Sequence, residues 1–120
     1  VKLTLLNVAG RSTPVLVEVA QTSVERMVGL LGRDGLSDDA GLLLRPCGAV
    51  HTFGMRFAID VVFLDRKQQV LEIQHEVPPR RALFKIRALQ VLELAAGAAE
   101  RHRIRVGDTL AFEERQCEPI

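Results

Sequence analysis

The sequence predicts a mainly β (α+β) fold, a single compact antiparallel β-barrel or sandwich of about eight short strands with two short helices. Three observations lead there. Apolar residues recur at period two along short runs bounded by Gly, Asp, Asn and Pro. No alternation of strands with long helical segments demands a parallel sheet. Only two stretches carry helix signals. The 120 residues, 48% hydrophobic and 26% charged, suit one domain over residues 1–120 with a core that needs no metal or disulfide.

Lys2–Val8 and Pro14–Val19 read as strands joined at Gly10-Arg11-Ser12. Thr22 stands three positions before Glu25, the spacing of a capping box. Val24, Met27, Val28 and Leu31 then form an i, i+3, i+4, i+7 stripe, which predicts a core-facing helix over 23–31 stopped by Gly32. Gly41–Leu44 and Ala49–Phe53 are the next strands. Ile59–Leu64 and Val70–Gln74 flank the polar turn Asp65-Arg66-Lys67-Gln68, which predicts a hairpin. His75–Arg87, with Pro78-Pro79, shows no periodicity and reads as a long connection, functional or mobile. Leu89–Leu94 is a strand, the Ala-rich 96–103 a short helix, and Gly107-Asp108 a turn into the last strand, Thr109–Glu113.

Composition excludes several classes. The chain contains no apolar stretch of membrane-spanning length, so no span is expected. The first ten residues lack the apolar run of a signal peptide, and Cys47 and Cys117 lack metal or redox spacing. A cytoplasmic protein with two free thiols is therefore expected, with N-terminal trimming left open because the chain begins at Val1. Net charge is +1, but residues 80–105 carry +5 and the remainder −4. That segment can form a basic patch, yet no nucleic-acid-binding signature accompanies it and aromatic residues are only 4%.

Two carboxylates break the strand patterns. Asp60 shares a face with Val62 and Leu64, and Glu93 shares one with Leu89 and Val91. A carboxylate among apolar neighbours costs several kcal/mol unless paired or hydrogen-bonded, so each needs a partner, and Arg56 is the nearest cation in sequence. Either they are structural, as a buried ion pair or a backbone-bonded carboxylate, or they share a polar site with a raised pKa. The segment from Cys47 to Phe57 also concentrates reactive types. Cys47, His51 and Met55 are the soft set that suits Cu(I), but Met55 and Phe53 fit a core and His51 a core or rim, so no metal and no cofactor are expected. Gly54 marks a bulge or a close backbone approach.

An ordered set of residues adds to this reading. It runs Glu25-Arg26-x-x-Gly29-Leu30, Gly41-Leu42-Leu43-Leu44, Phe53-x-Met55-Arg56 and Asp60-x-x-Phe63-Leu64-Asp65. It continues with Val91-Leu92-Glu93-Leu94, Ala96-Gly97 and Ile104-x-Val106-Gly107-Asp108. Over about residues 15–113 this resembles the domain-of-unknown-function (DUF) family 192. The resemblance implies a mostly β domain, found mainly in prokaryotes, with no established activity. It carries over Met55, Arg56, Asp60 and Glu93. The chain departs from the family in its short Met55-to-Asp60 connection and in Ala98 and Ala99, where aromatics are common.

The leading expectation is a non-catalytic ligand-binding or protein-interaction module, its partner an unknown small molecule or protein. His51, Met55, Arg56, Asp60 and Glu93 are the candidate binding residues, with the polar site around Arg56, Asp60 and Glu93. The alternative is a small enzyme using Asp60 or Glu93 for acid–base chemistry while Arg56 orients an anionic substrate. No catalytic residue is assigned. A basic-patch nucleic-acid binder ranks third.

Overall fold

Residues 2–114 are described in a computed structural model. Nine strands and two helices follow in the order β1 Lys2–Val8, β2 Arg11–Ala20, α1 Ser23–Val28, β3 Ala40–Leu44, β4 Ala49–His51, β5 Ile59–Leu64, β6 Val70–Val77, β7 Ala82–Phe84, β8 Gln90–Ala95, α2 Ala98–Arg101 and β9 Leu110–Glu114. Cys117 lies outside the described residues. Seven strands form one sheet in the order β6-β5-β8-β3-β2-β1-β9, and β4 and β7 form a separate antiparallel pair. Among the described residues the edge strands β6 and β9 form no ladder with each other; their ends are joined at the Gln69–Thr109 bridge and by the neighbouring bonds from the Gly107 amide to the Val70 carbonyl at 2.9 Å and from the Gln68 side chain to the Leu110 carbonyl at 3.0 Å. The sheet therefore curls without closing, which is the sandwich form of the expected fold and not the barrel form.

Local chemistry sets the short-range elements. Ala9 and Gly10 both take positive φ, 48° and 83°, and turn β1 into β2 with Val8 opposite Arg11. The β5–β6 hairpin closes on Asp65, whose carboxylate accepts from the Lys67 and Gln69 amides at 2.8 and 2.9 Å. The capping box of α1 is formed in both directions, Glu25 N–H to Thr22 at 3.1 Å and Thr22 N–H to Glu25 at 3.0 Å.

Three expectations need correction. One pair, β2 with β3, is parallel, because the chain between Ala20 and Ala40 crosses over through α1. The unpatterned 75–87 stretch extends β6 to Val77 and then forms β7, whose partner β4 is distant in sequence. Helix α1 ends at Gly29, where φ is 48°, and not at Gly32, and its apolar stripe faces outward: Val24 is 70% and Met27 74% exposed. The only buried anchor of this short helix is Leu30, just past its end.

Both faces of the main sheet are apolar, which is why β5 and β8 are buried at every position. Every strand of the sheet contributes to the core on one face, which includes Leu6, Val17, Leu43, Val62, Leu64, Leu92, Leu94 and Leu110 and is capped by Ala98 and Ala99 of α2. The other face, with Leu42, Leu44, Ile59, Val61, Phe63 and Val91, lies under the β4–β7 pair and the segment after α1. Buried Thr52 holds that cover in place. Its hydroxyl donates to the Pro78 carbonyl at 2.7 Å and accepts from the Arg81 amide at 2.9 Å.

Candidate functional site

The two anomalous carboxylates are both buried, Asp60 at 0% and Glu93 at 3% exposure, and they lie on opposite faces of the sheet. Strand pairing sets Val61 against Glu93 and Asp60 against Leu94. Alternation therefore turns Asp60 toward the core of Val62, Leu64 and α2, and Glu93 toward that of Val61 and Val91. They do not share a site.

Asp60 is fully committed to the backbone. Opposite it, β6 carries a bulge at His75 and Glu76, with Glu76 at φ 50°. One Asp60 oxygen accepts from the Glu76 amide at 2.8 Å. The other accepts from the Ala99 amide at 2.9 Å, in the first turn of α2. Gly97, the N-cap of α2, has no side chain to supply an acceptor, so Asp60 caps that turn from across the sheet.

Arg56 pairs with neither carboxylate. It forms an exposed ion pair with Asp34, because the chain turns at Thr52–Met55 and carries Arg56 to the surface. The expected Arg56–Asp60–Glu93 constellation is not assembled.

What the fold does assemble is a cavity of about 110 Å³ between Glu93 and the segment that follows α1. Arg26, Met27 and Leu31 come from α1 and its exit, Leu44 and Cys47 from the end of β3, and His51 and Met55 from β4 and its following turn. Close backbone contact shapes this wall. A side chain at Gly48 would place its Cβ 2.8 Å from the Ala88 carbonyl oxygen, so the loop beside Cys47 lies directly on the chain leading into β8. Gly54, at φ 82°, permits the turn that brings His51 and Met55 to the same cavity, and Leu31 lies against it.

Glu93 has no hydrogen bond and no ion pair among the described residues. Burial pushes its carboxyl up to about 7, and the nearby Arg33 charge offsets part of that rise. Arg33 itself is held by Glu18 at 2.8 Å. Arg26 donates through Nη1 to the Gln21 and Arg45 carbonyls and thus ties α1 to the ends of β2 and β3. The Cys47 thiol donates to the Ala49 carbonyl at 3.1 Å and is pushed up by burial, which leaves it protonated and a poor nucleophile at neutral pH. The His51 and Phe53 rings stand 5.9 Å apart, with Phe53 exposed and not in the expected core. No group of three or more His, Cys, Asp and Glu among the described residues is arranged to hold a metal ion.

Of the five predicted site residues, His51, Met55 and Glu93 converge on this cavity, while Arg56 and Asp60 do not line it. Arg26, Met27 and Leu31 were not expected there. The exposed stripe of α1 was their signal, read as a core face when it is in part a cavity wall. The basic segment is also divided. Its 80–87 part lies with β7 over one face of the sheet, and Arg101, Arg103 and Arg105 lie with α2 over the other. Lys85 and Arg101 are paired with Glu72 and Asp38.

A curled seven-stranded sheet with a small cavity on one face defines a β-sandwich-like domain. The chain belongs to the DUF192 family (Uncharacterized ACR, COG1430), whose model matches residues 4–112. It is 32% identical over 112 residues to the UPF0127 protein of Pyrococcus furiosus, covering 90% of this chain and 97% of that one. A crystal structure of a protein of unknown function from Novosphingobium aromaticivorans is similar at TM-score 0.78 and 26% identity, covering 91% of this chain and 84% of that one. A Sinorhizobium meliloti protein, named as a candidate transcription regulator, superposes at TM-score 0.79 and 23% identity, with 92% of each chain covered. That last likeness is one of fold alone. No helix among the described residues is long and apolar enough to cross a membrane.

Proposed function

We propose that this protein is a non-catalytic binding module that holds a small, largely apolar ligand with one hydrogen-bond donor in the Glu93 cavity. One observation carries the reading: a carboxylate 3% exposed and without a partner lines a cavity of about 110 Å³. Leaving such a group unpartnered destabilises the fold, and a stability cost of this kind recurs at functional sites. The lining supplies apolar contact from Met27, Leu31, Leu44 and Met55 and one acceptor, Glu93, which is the pattern of a small-ligand pocket.

The acid–base reading comes second. A carboxyl pushed up to about 7 is well poised for proton transfer at neutral pH, which favours it. The second groups expected from the sequence are absent from the cavity, because Arg56 is held by Asp34 and Asp60 is on the other face; the titratable groups that line it beside Glu93 are Arg26, Cys47 and His51.

The chain has two methionines, Met27 and Met55, and both line the cavity. A panel of fragments of about four to six heavy atoms, screened by methyl NMR of 13C-methionine protein, tests the proposal. Donor-bearing fragments are expected to shift both methyl resonances together. A panel that moves neither methyl would overturn the reading.

A further inference from the structure

The cavity offers a carboxylate to which none of its lining donors is bonded. Glu93 contributes a carboxylate, Met27 and Met55 contribute thioethers, and the Cys47 S–H is already directed at Ala49. Arg26, from α1, is engaged with two backbone carbonyls, and Arg33, from the loop that follows, with Glu18. Among the described residues, His51 of β4 is the remaining titratable group that lines the cavity with Glu93. An occupant complementary to Glu93 itself brings hydrogen-bond donors and positive charge on an apolar stem. Thioether sulfur is soft and polarisable and packs well along such a stem. Size restricts it further: an apolar cavity of about 150 Å³ accepts benzene, so about 110 Å³ suits roughly four to six heavy atoms.

We propose that the Glu93 cavity binds a primary alkylammonium group, with the ammonium on the Glu93 carboxylate and the alkyl stem between Met27, Leu31 and Met55. The inference deepens the binding reading and rests on the cavity being a ligand site. A free small amine and a lysine side chain present the same chemistry, an ammonium on about four methylenes. An ammonium needs the ionised carboxylate, so its binding strengthens as pH rises through the value near 7 to which burial moves Glu93. Cys47 stays protonated over that interval, since its thiol is shifted upward.

The test titrates 13C-methionine protein with n-butylammonium, 1-butanol, butyrate and a capped Gly-Lys-Gly peptide at pH 6 and pH 8. Butylammonium is expected to shift the Met27 and Met55 methyls, with affinity about tenfold higher at pH 8 because the ionised fraction of Glu93 rises by that factor. Butanol should bind at least about tenfold more weakly than butylammonium at pH 8, since only the ammonium brings a charged donor to the carboxylate. Butyrate should not bind at pH 8. Glu93→Gln is expected to remove the pH slope, and His51→Gln to retain it, which assigns the slope to the carboxylate. Binding of the peptide as well as the amine marks lysine side chains as a source, and binding of the amine alone marks free amines. If butanol binds and butylammonium binds no better at either pH, the ammonium inference fails while the ligand site stands. If none of the four moves either methyl, both fail.

Discussion

Asp60 and Glu93 stand on neighbouring strands one register position apart, equally hidden from water, and have opposite surroundings. Asp60 receives two backbone amides, from a bulge in β6 and from the first turn of α2. Glu93 receives none and borders a cavity. Burial alone therefore does not separate a scaffold carboxylate from a site carboxylate. The donors around it do. The amides at Glu76 and Ala99 would be unsatisfied without Asp60, so that residue is a structural part of the fold. Among the described residues no hydrogen bond or ion pair requires the charge of Glu93.

The largest effect belongs to Asp60. Asp60→Ala leaves the buried Ala99 amide and the partly buried Glu76 amide without an acceptor and should lower stability by about 2–4 kcal/mol in urea denaturation at pH 7. Asp60→Asn keeps one acceptor oxygen and should lose less. A loss below about 0.5 kcal/mol for Asp60→Ala would remove the contrast.

Glu93→Gln should move stability the other way, and only at high pH. The folded carboxyl titrates near 7 against 4.5 unfolded, so the folded state holds its proton more tightly. Stability from this group is then complete below about pH 4.5 and is lost as pH rises through 7, by on the order of 3 kcal/mol. Glu93→Gln should accordingly stabilise by about 2 kcal/mol at pH 8 and match wild type at pH 4.5. Chemical denaturation at the two pH values checks both the sign and the window.

Thr52 sharpens the comparison from the cover side. Thr52→Val removes a buried hydroxyl that both donates and accepts, and should cost about 1–3 kcal/mol. Because Thr52 fixes the β4–β7 pair, the variant should also disturb the Met55 methyl resonance. The smallest effect is expected at Arg56, whose ion pair with Asp34 is exposed. Arg56→Ala should change stability by less than about 0.5 kcal/mol by urea titration.

Much of the fold was legible because local signals and burial agreed. The Thr22–Glu25 box, the Asp65 turn and the alternation that marked Asp60 and Glu93 as misplaced all depend on residues close in sequence. Partners were not legible. Arg56 was assigned to Asp60 by proximity along the chain, but the turn at Thr52–Met55 sends it to Asp34. Acceptors for the Glu76 and Ala99 amides come from long-range packing that no spacing encodes. Strand β7 was missed because three residues beside Pro78-Pro79 have too little pattern, and its pairing with β4 is long-range. The α1 stripe was legible as apolar but not as exposed, since period 3.6 reports a face and not what lies opposite it. Of the candidate site, His51, Met55 and Glu93 were found because each stood out of place or out of type in its own segment.

Direct titration of the Glu93 side-chain carboxyl by 13C NMR in the unliganded protein tests the central claim, with Glu93→Gln used to assign the resonance. The account predicts a midpoint near 7 that moves down when n-butylammonium is added. A midpoint at or below 4.5 in the free protein would mean that Glu93 already has a partner in the fold, and would contradict it.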